Sequence, residues 1–165
     1  MAAWPDDVLY VCDDIKLLGP DVEELQRIAY LDPDIGILSP RIYGSIGHSV
    51  QSAQGKNIVG EYQLTTKELC SPCWFLKRAL LDDIGYIDLR FDGYGGDDID
   101  FSRRAMQAGW KLAVAARIYV AHGFGELDGS VSFRKCGVSI SESIAEMHQR
   151  LIEKPWETYC NGTRE

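Results

Sequence analysis

An α/β fold is predicted for this chain by three features of its sequence. Short apolar runs such as "VLYV" and "GILSP" flank an amphipathic segment, "DVEELQRIAYL". That strand-helix-strand rhythm is the pattern of helices laid on a sheet. The first run passes directly into acids as "CDD", and strand ends of open α/β sheets are where ligands are held. Hydrophobic residues make up 45% and charged residues 25% of 165 positions, as in one globular domain with a core of its own.

Taken in order, "VLYVCDD" reads as a buried parallel strand, since both of its faces carry apolar side chains. "GPDVEELQRIAYL" reads as a helix, with Pro20 near its start, acids in the first turn, and Val22, Leu25, Ile28 and Ala29 on one face. "DIGILSPRI" is the next strand, closed by Pro40. Residues 43–63 are rich in Gly, Ser and Gln and lack a period. They read as a long surface loop holding the solvated His48, with at most a weak strand at 57–59. "ELCSPCWFLKR" gives a strand and "ALLDDIG" a short helix ended by Gly85. A helix is expected over 98–108, stopped by Gly109, and then one or two short strands in "KLAVAARIYVAHGFG" ending at His122. A C-terminal amphipathic helix is expected over 139–154. Ser139 and Glu142 form its capping box, Ile140, Ile144, Met147 and Leu151 its stripe, and Pro155 its stop, with His148 a surface or packing residue.

Composition excludes several classes. A net charge of -8 argues against nucleic-acid and anionic-membrane partners, which require clustered Lys and Arg. No apolar run approaches the ~20 residues of a transmembrane span. Five cysteines, an odd number, fit a reduced, cytoplasmic protein better than a disulfide framework. Cys70-Ser-Pro-Cys73 has the form of a redox or zinc pair, but no second pair follows at ligand spacing, so buried thiols are the simpler reading. The sequon at Asn161 is read as accidental.

The stretch "FDGYGGDDIDFSRR", residues 91–104, crowds acids behind glycines at the head of a helix. Neighbouring carboxylates repel, so a fold keeps them together for a metal, for a base role or for capping. Capping explains one or two of the acids, while the glycines suit a backbone that approaches a ligand closely. A P-loop would need Lys-Ser/Thr after the glycines, and a dinucleotide fingerprint would need glycine at Asp98.

The order of motifs resembles the later part of a family-2 glycosyltransferase of the GT-A fold. Asp14 at a strand end, "PDVEELQRIA", "GILSPRI", "CWFLKRALLDDIGYID", "GGDDIDFSRR", "QAGWKL" and "IYVAHGFG" follow the family's sequence over residues 8–125. The "YGGDDID" form is also similar to the acid box of galactosyltransferases. The resemblance implies a partial GT-A fold in which the N-terminal nucleotide-binding β-α-β units are missing, and inverting transfer of a sugar to an acceptor hydroxyl. Asp98 would be the general base with Asp97 beside it. Gly95, Gly96, Tyr94 and Trp74 would shape the acceptor pocket. Asp14 would hold Mg²⁺ or Mn²⁺ against the donor diphosphate, and His122 would be a further ligand or a structural histidine. Asp100 and Arg104 would pair along one helix face. The family's first metal acid is replaced here by Cys12.

Implied partners are a nucleotide-sugar donor and a sugar or lipid-linked acceptor. Alternatives are a non-catalytic module, truncated or half of a split enzyme, and a stand-alone acidic metal-binding domain. Without a nucleotide half, the strand over 8–11 would keep an open edge or an uncovered apolar face, and a two-fold homodimer through it is expected, the alternative being that the N-terminal arm or the helix from Ile140 to Lys154 folds back to cover the gap.

Overall fold

The computed structural model of the chain describes residues 6–17, 22–44, 50–55, 57–91, 95–122 and Gln149. Its elements are β1 (Val8–Val11), β2 (Ile15–Leu17), α1 (Val22–Ala29), β3 (Ile35–Gly44), β4 (Tyr62–Thr65), β5 (Cys73–Leu76), α2 (Arg78–Ile84), α3 (Asp97–Gln107) and β6 (Lys111–His122). The chain is a mixed α/β protein built on one open sheet of order β1-β5-β3-β6-β2, with β4 also on β6.

β6 is the spine. It runs parallel to β3 on one side, while its other side takes β4 along Leu112–Ala115 and β2 along Val120–His122, both antiparallel. Successive residues of a strand point to opposite faces, so each apolar run feeds two cores. Ile35, Leu38, Phe75, Ala113, Ala115 and Ile118 face Leu25, Ile28 and Ala29 of α1. Ile37, Trp74, Leu76, Leu112 and Val114 face Leu80 and Leu81 of α2 and Phe101 and Ala105 of α3.

Two long-range polar ties position the helices. α2 has no side-chain cap of its own. Instead Asp7, just ahead of β1, accepts from the Arg78 backbone N–H at 2.8 Å, and also from Gln26 and Tyr30 of the α1 region. The buried Lys77 donates its ammonium to the carbonyls of Asp32 and Pro33.

Several sequence expectations are corrected. β1 is not a buried parallel strand: it lies at the sheet edge, antiparallel to β5, half-buried and with Val11 exposed. β3 does not stop at Pro40 but continues to Gly44. Proline lacks an N–H, and it is accommodated at a register shift between Ser39 and Arg41. The expected loop over 43–63 instead begins inside β3 and ends inside β4, and residues 57–59 form no strand. Within it Gln51 is fully buried, bonding Ser39 and both backbone groups of Cys70, beside a bridge between Ile42 and Ser52. β6 is one continuous strand, and Val22 of α1 is exposed. His48 and the expected helix over 139–154, apart from Gln149, lie outside the described residues.

Candidate active site

Gly95 and Gly96 enter α3 with φ of 86° and 91°, the left-handed region that glycine adopts without strain. Gly96 is the N-cap and supplies no side-chain acceptor, so the first turn relies on Asp97, Asp98 and Asp100. Asp100 is committed elsewhere. Fully buried, it meets Arg104 at 2.9 Å, and Arg104 also donates to the carbonyls of Ile84 and Tyr86. That network bolts α3 to the end of α2, as the four-residue spacing predicts.

Asp97 and Asp98 remain at the open end of the helix. Burial, reinforced by the charge of Asp97, pushes the Asp98 carboxyl up to about 6. Its Oδ1 accepts the Ile99 N–H at 2.8 Å, and a backbone hydrogen bond from Ser71 also favours its ionised form. Burial raises Asp97 as well, with the Asp100 charge adding to it. A carboxylate that gains and loses its proton near neutral pH, held on a rigid helix, is suited to general-base work.

The segment after β1 lies opposite. Cys12 donates its N–H to the Pro72 carbonyl at 3.0 Å and its thiol to the Ser71 carbonyl at 3.4 Å. The Ser71 residue therefore links Cys12 to Asp98. Burial first, then the charges of Asp14, Asp97, Asp13 and Asp98, push the Cys12 thiol up to about 11. One sulfur thus feels both acidic stretches, which the chain places far apart in sequence. Tyr10 lies two residues before Cys12, on the same side of the chain. Its phenol is pushed up to about 12 by burial, by Cys12 and by Asp97 and Asp98. Both groups stay neutral near pH 7.

Asp14 turns toward the end of β6, its Oδ2 lying 3.4 Å from His122 Nε2. Ile15 pairs with His122 across the β2–β6 ladder, and Gly44 pairs with it from β3. Gly44 has φ of 103°, and a Cβ there would lie 2.3 Å from the His122 carbonyl oxygen. Only glycine lets the three strand ends meet this closely. Among the described residues no group of three His, Cys, Asp or Glu is placed to hold a metal. Mg²⁺ is commonly held by one or two carboxylates and completed by substrate phosphates, and Asp14 is the carboxylate that stands at this strand end, beside His122.

The structure therefore brings Asp14 to His122, and sets Asp97 and Asp98 behind Gly95 and Gly96. Tyr94 lies outside the described residues. Trp74 is fully buried, its ring 5.8 Å from Phe101 and 6.2 Å from Tyr10, so it supports the site from beneath and presents no open face to a ligand. Sequence reasoning passed over Tyr10 and Ser71 and saw Cys12 only as a missing acid. The alternation of Tyr10 and Cys12 along one strand was the available signal. No helix among the described residues is long and apolar enough to cross a membrane. In comparisons with known proteins, no family model matches the chain, and neither does any curated protein.

Proposed function

We propose that this chain is a glycosyltransferase, or the acceptor-side portion of one, and that it moves a sugar from a nucleotide-sugar to an acceptor hydroxyl with inversion. The observation that carries the reading is the link through Ser71, which accepts from the Cys12 thiol at 3.4 Å and bonds Asp98, so that the two acidic stretches face one another where burial pushes the Asp98 carboxyl up to about 6. In this reading Asp98 takes the proton from the acceptor hydroxyl as that oxygen attacks the sugar carbon. Asp97 raises the proton affinity of Asp98 and is placed to accept a hydrogen bond from the acceptor. The left-handed Gly95–Gly96 turn gives the acceptor room beside the helix end. Asp14 and His122 would hold Mg²⁺ or Mn²⁺, which when bound neutralises charge on a diphosphate leaving group. Tyr10 and Cys12, kept neutral, add no further negative charge to a pocket already rich in acid.

Titration calorimetry with UDP- and GDP-sugars and Mn²⁺ tests the reading. Donor binding at about 1 mM or tighter, weakened at least about tenfold in Asp14→Ala, is the expected result. A chain that binds acceptor sugars but no donor at any Mn²⁺ concentration is instead the non-catalytic module.

A further inference from the structure

We propose that the outer edge of β1 docks an extended peptide whose apolar centre is flanked at both ends by lysine or arginine. This inference stands apart from the transferase reading. β1 ends the strand order, and among the described residues no strand pairs with its outer side. The Cys12 N–H bonds inward to Pro72. Hydrogen-bonded and non-bonded pairs alternate along an antiparallel ladder, so Tyr10 and Val8 also bond inward, and Leu9 and Val11 aim their backbone groups outward.

Natural sheet edges are blunted by charge, proline or a bulge. "VLYV" has neither charge nor proline, and its register with β5 runs without a shift. Charge stands at the two ends instead, where the exposed Asp6 and Asp13 flank the strand in "DDVLYVCDD", Asp7 being engaged by Arg78 and Asp14 by His122. That bracket selects the occupant. A second copy laid antiparallel about the strand centre would set acids against acids at both ends, and like charges opposite one another destabilise a pair. A peptide with basic flanks turns the same charges into attraction. Main-chain bonds to Leu9 and Val11 then provide affinity, and the flanks provide selectivity.

The test uses the full chain labelled with ¹⁵N and a synthetic peptide of alternating valine and threonine with two lysines at each end. The same peptide with glutamates in place of the lysines is the comparison. Shifts and exchange protection should concentrate at the Leu9 and Val11 amides. The lysine peptide should bind about tenfold more tightly at low salt, with the difference collapsing at high salt. Val11→Pro removes an outward N–H without touching the β5 ladder and should abolish binding. The double variant Asp6→Lys, Asp13→Lys, at exposed positions, should reverse the peptide preference even if Val11→Pro fails to fold. Equal binding of the two peptides overturns the proposal, as does binding that leaves Leu9 and Val11 unmoved. So does exchange protection of those amides already present in the free chain, or a concentration-dependent dimer that Val11→Pro disperses.

Discussion

Asp98 keeps its proton more tightly than an ordinary carboxylate because burial strips water from it and Asp97 stands beside it. Its unfolded value of 3.8 rises to about 6 on folding. Between those values the folded chain holds a proton that the unfolded chain has released, so stability falls as pH rises through that window. Above about 6 the penalty is complete. Asp98→Asn should therefore raise stability at pH 7 by on the order of 1–2 kcal/mol, with little change below about pH 4, and under the proposed transferase reading it should abolish transfer. Urea unfolding at both pH values measures this; an unchanged or lowered midpoint at neutral pH contradicts the assigned environment. Under the proposed reading, transfer by the wild-type chain should rise through about pH 6 and then level off. At this scale the acids behind Gly95 and Gly96 were legible, because glycine and crowded charge together have few structural explanations. Tyr10 and Cys12 were not, because their setting exists only once β1 registers against β5. Trp74 was misjudged because an aromatic ring serves a core and a sugar equally well.

The turn from α2 to α3 depends on Arg104, whose guanidinium satisfies Asp100 and two backbone carbonyls in a buried setting. Arg104→Met takes the guanidinium away from that buried carboxylate and should cost about 3–5 kcal/mol. The double variant with Asp100→Asn should recover part of the loss, and failure to recover any of it would mean that the carbonyl bonds carry the effect. Gly44→Ala forces a Cβ onto the His122 carbonyl from a left-handed backbone and should cost on the order of 1–3 kcal/mol in denaturant unfolding. The ends of α2 and α3 were legible to within a residue, since periodicity and terminal glycines are local signals, while the helix expected over 139–154 lies outside the described residues. Strand limits were not. β3 passes Pro40 through a bulge, and β2 and β4 are short edge strands whose existence depends on β6 as partner.

Across the whole molecule, β6 and its neighbours carry the cores on both sheet faces. Leu112→Ala, at a fully buried position of that spine, should cost about 2–5 kcal/mol, whereas Leu89→Ser, at a site 89% exposed, should stay within about 0.5. Comparable losses from the two would contradict a core centred on β6. The α/β class was legible because helix and strand periods alternate along the chain. Strand order and direction were not, since they join segments distant in sequence. An apolar run with two buried faces and one lying at an edge look alike when written out. The two strands nearest the amino terminus also pair only with partners made later, β1 with Cys73–Leu76 and β2 with Val120–His122. On the ribosome "VLYV" leaves the exit tunnel before β5 and stays without that partner until β5 follows, a window in which chaperones have an uncharged strand to hold. Asp14 meets His122 only after translation has passed the end of β6, so the acids that follow β1 wait for the last described strand before their end of the sheet is complete.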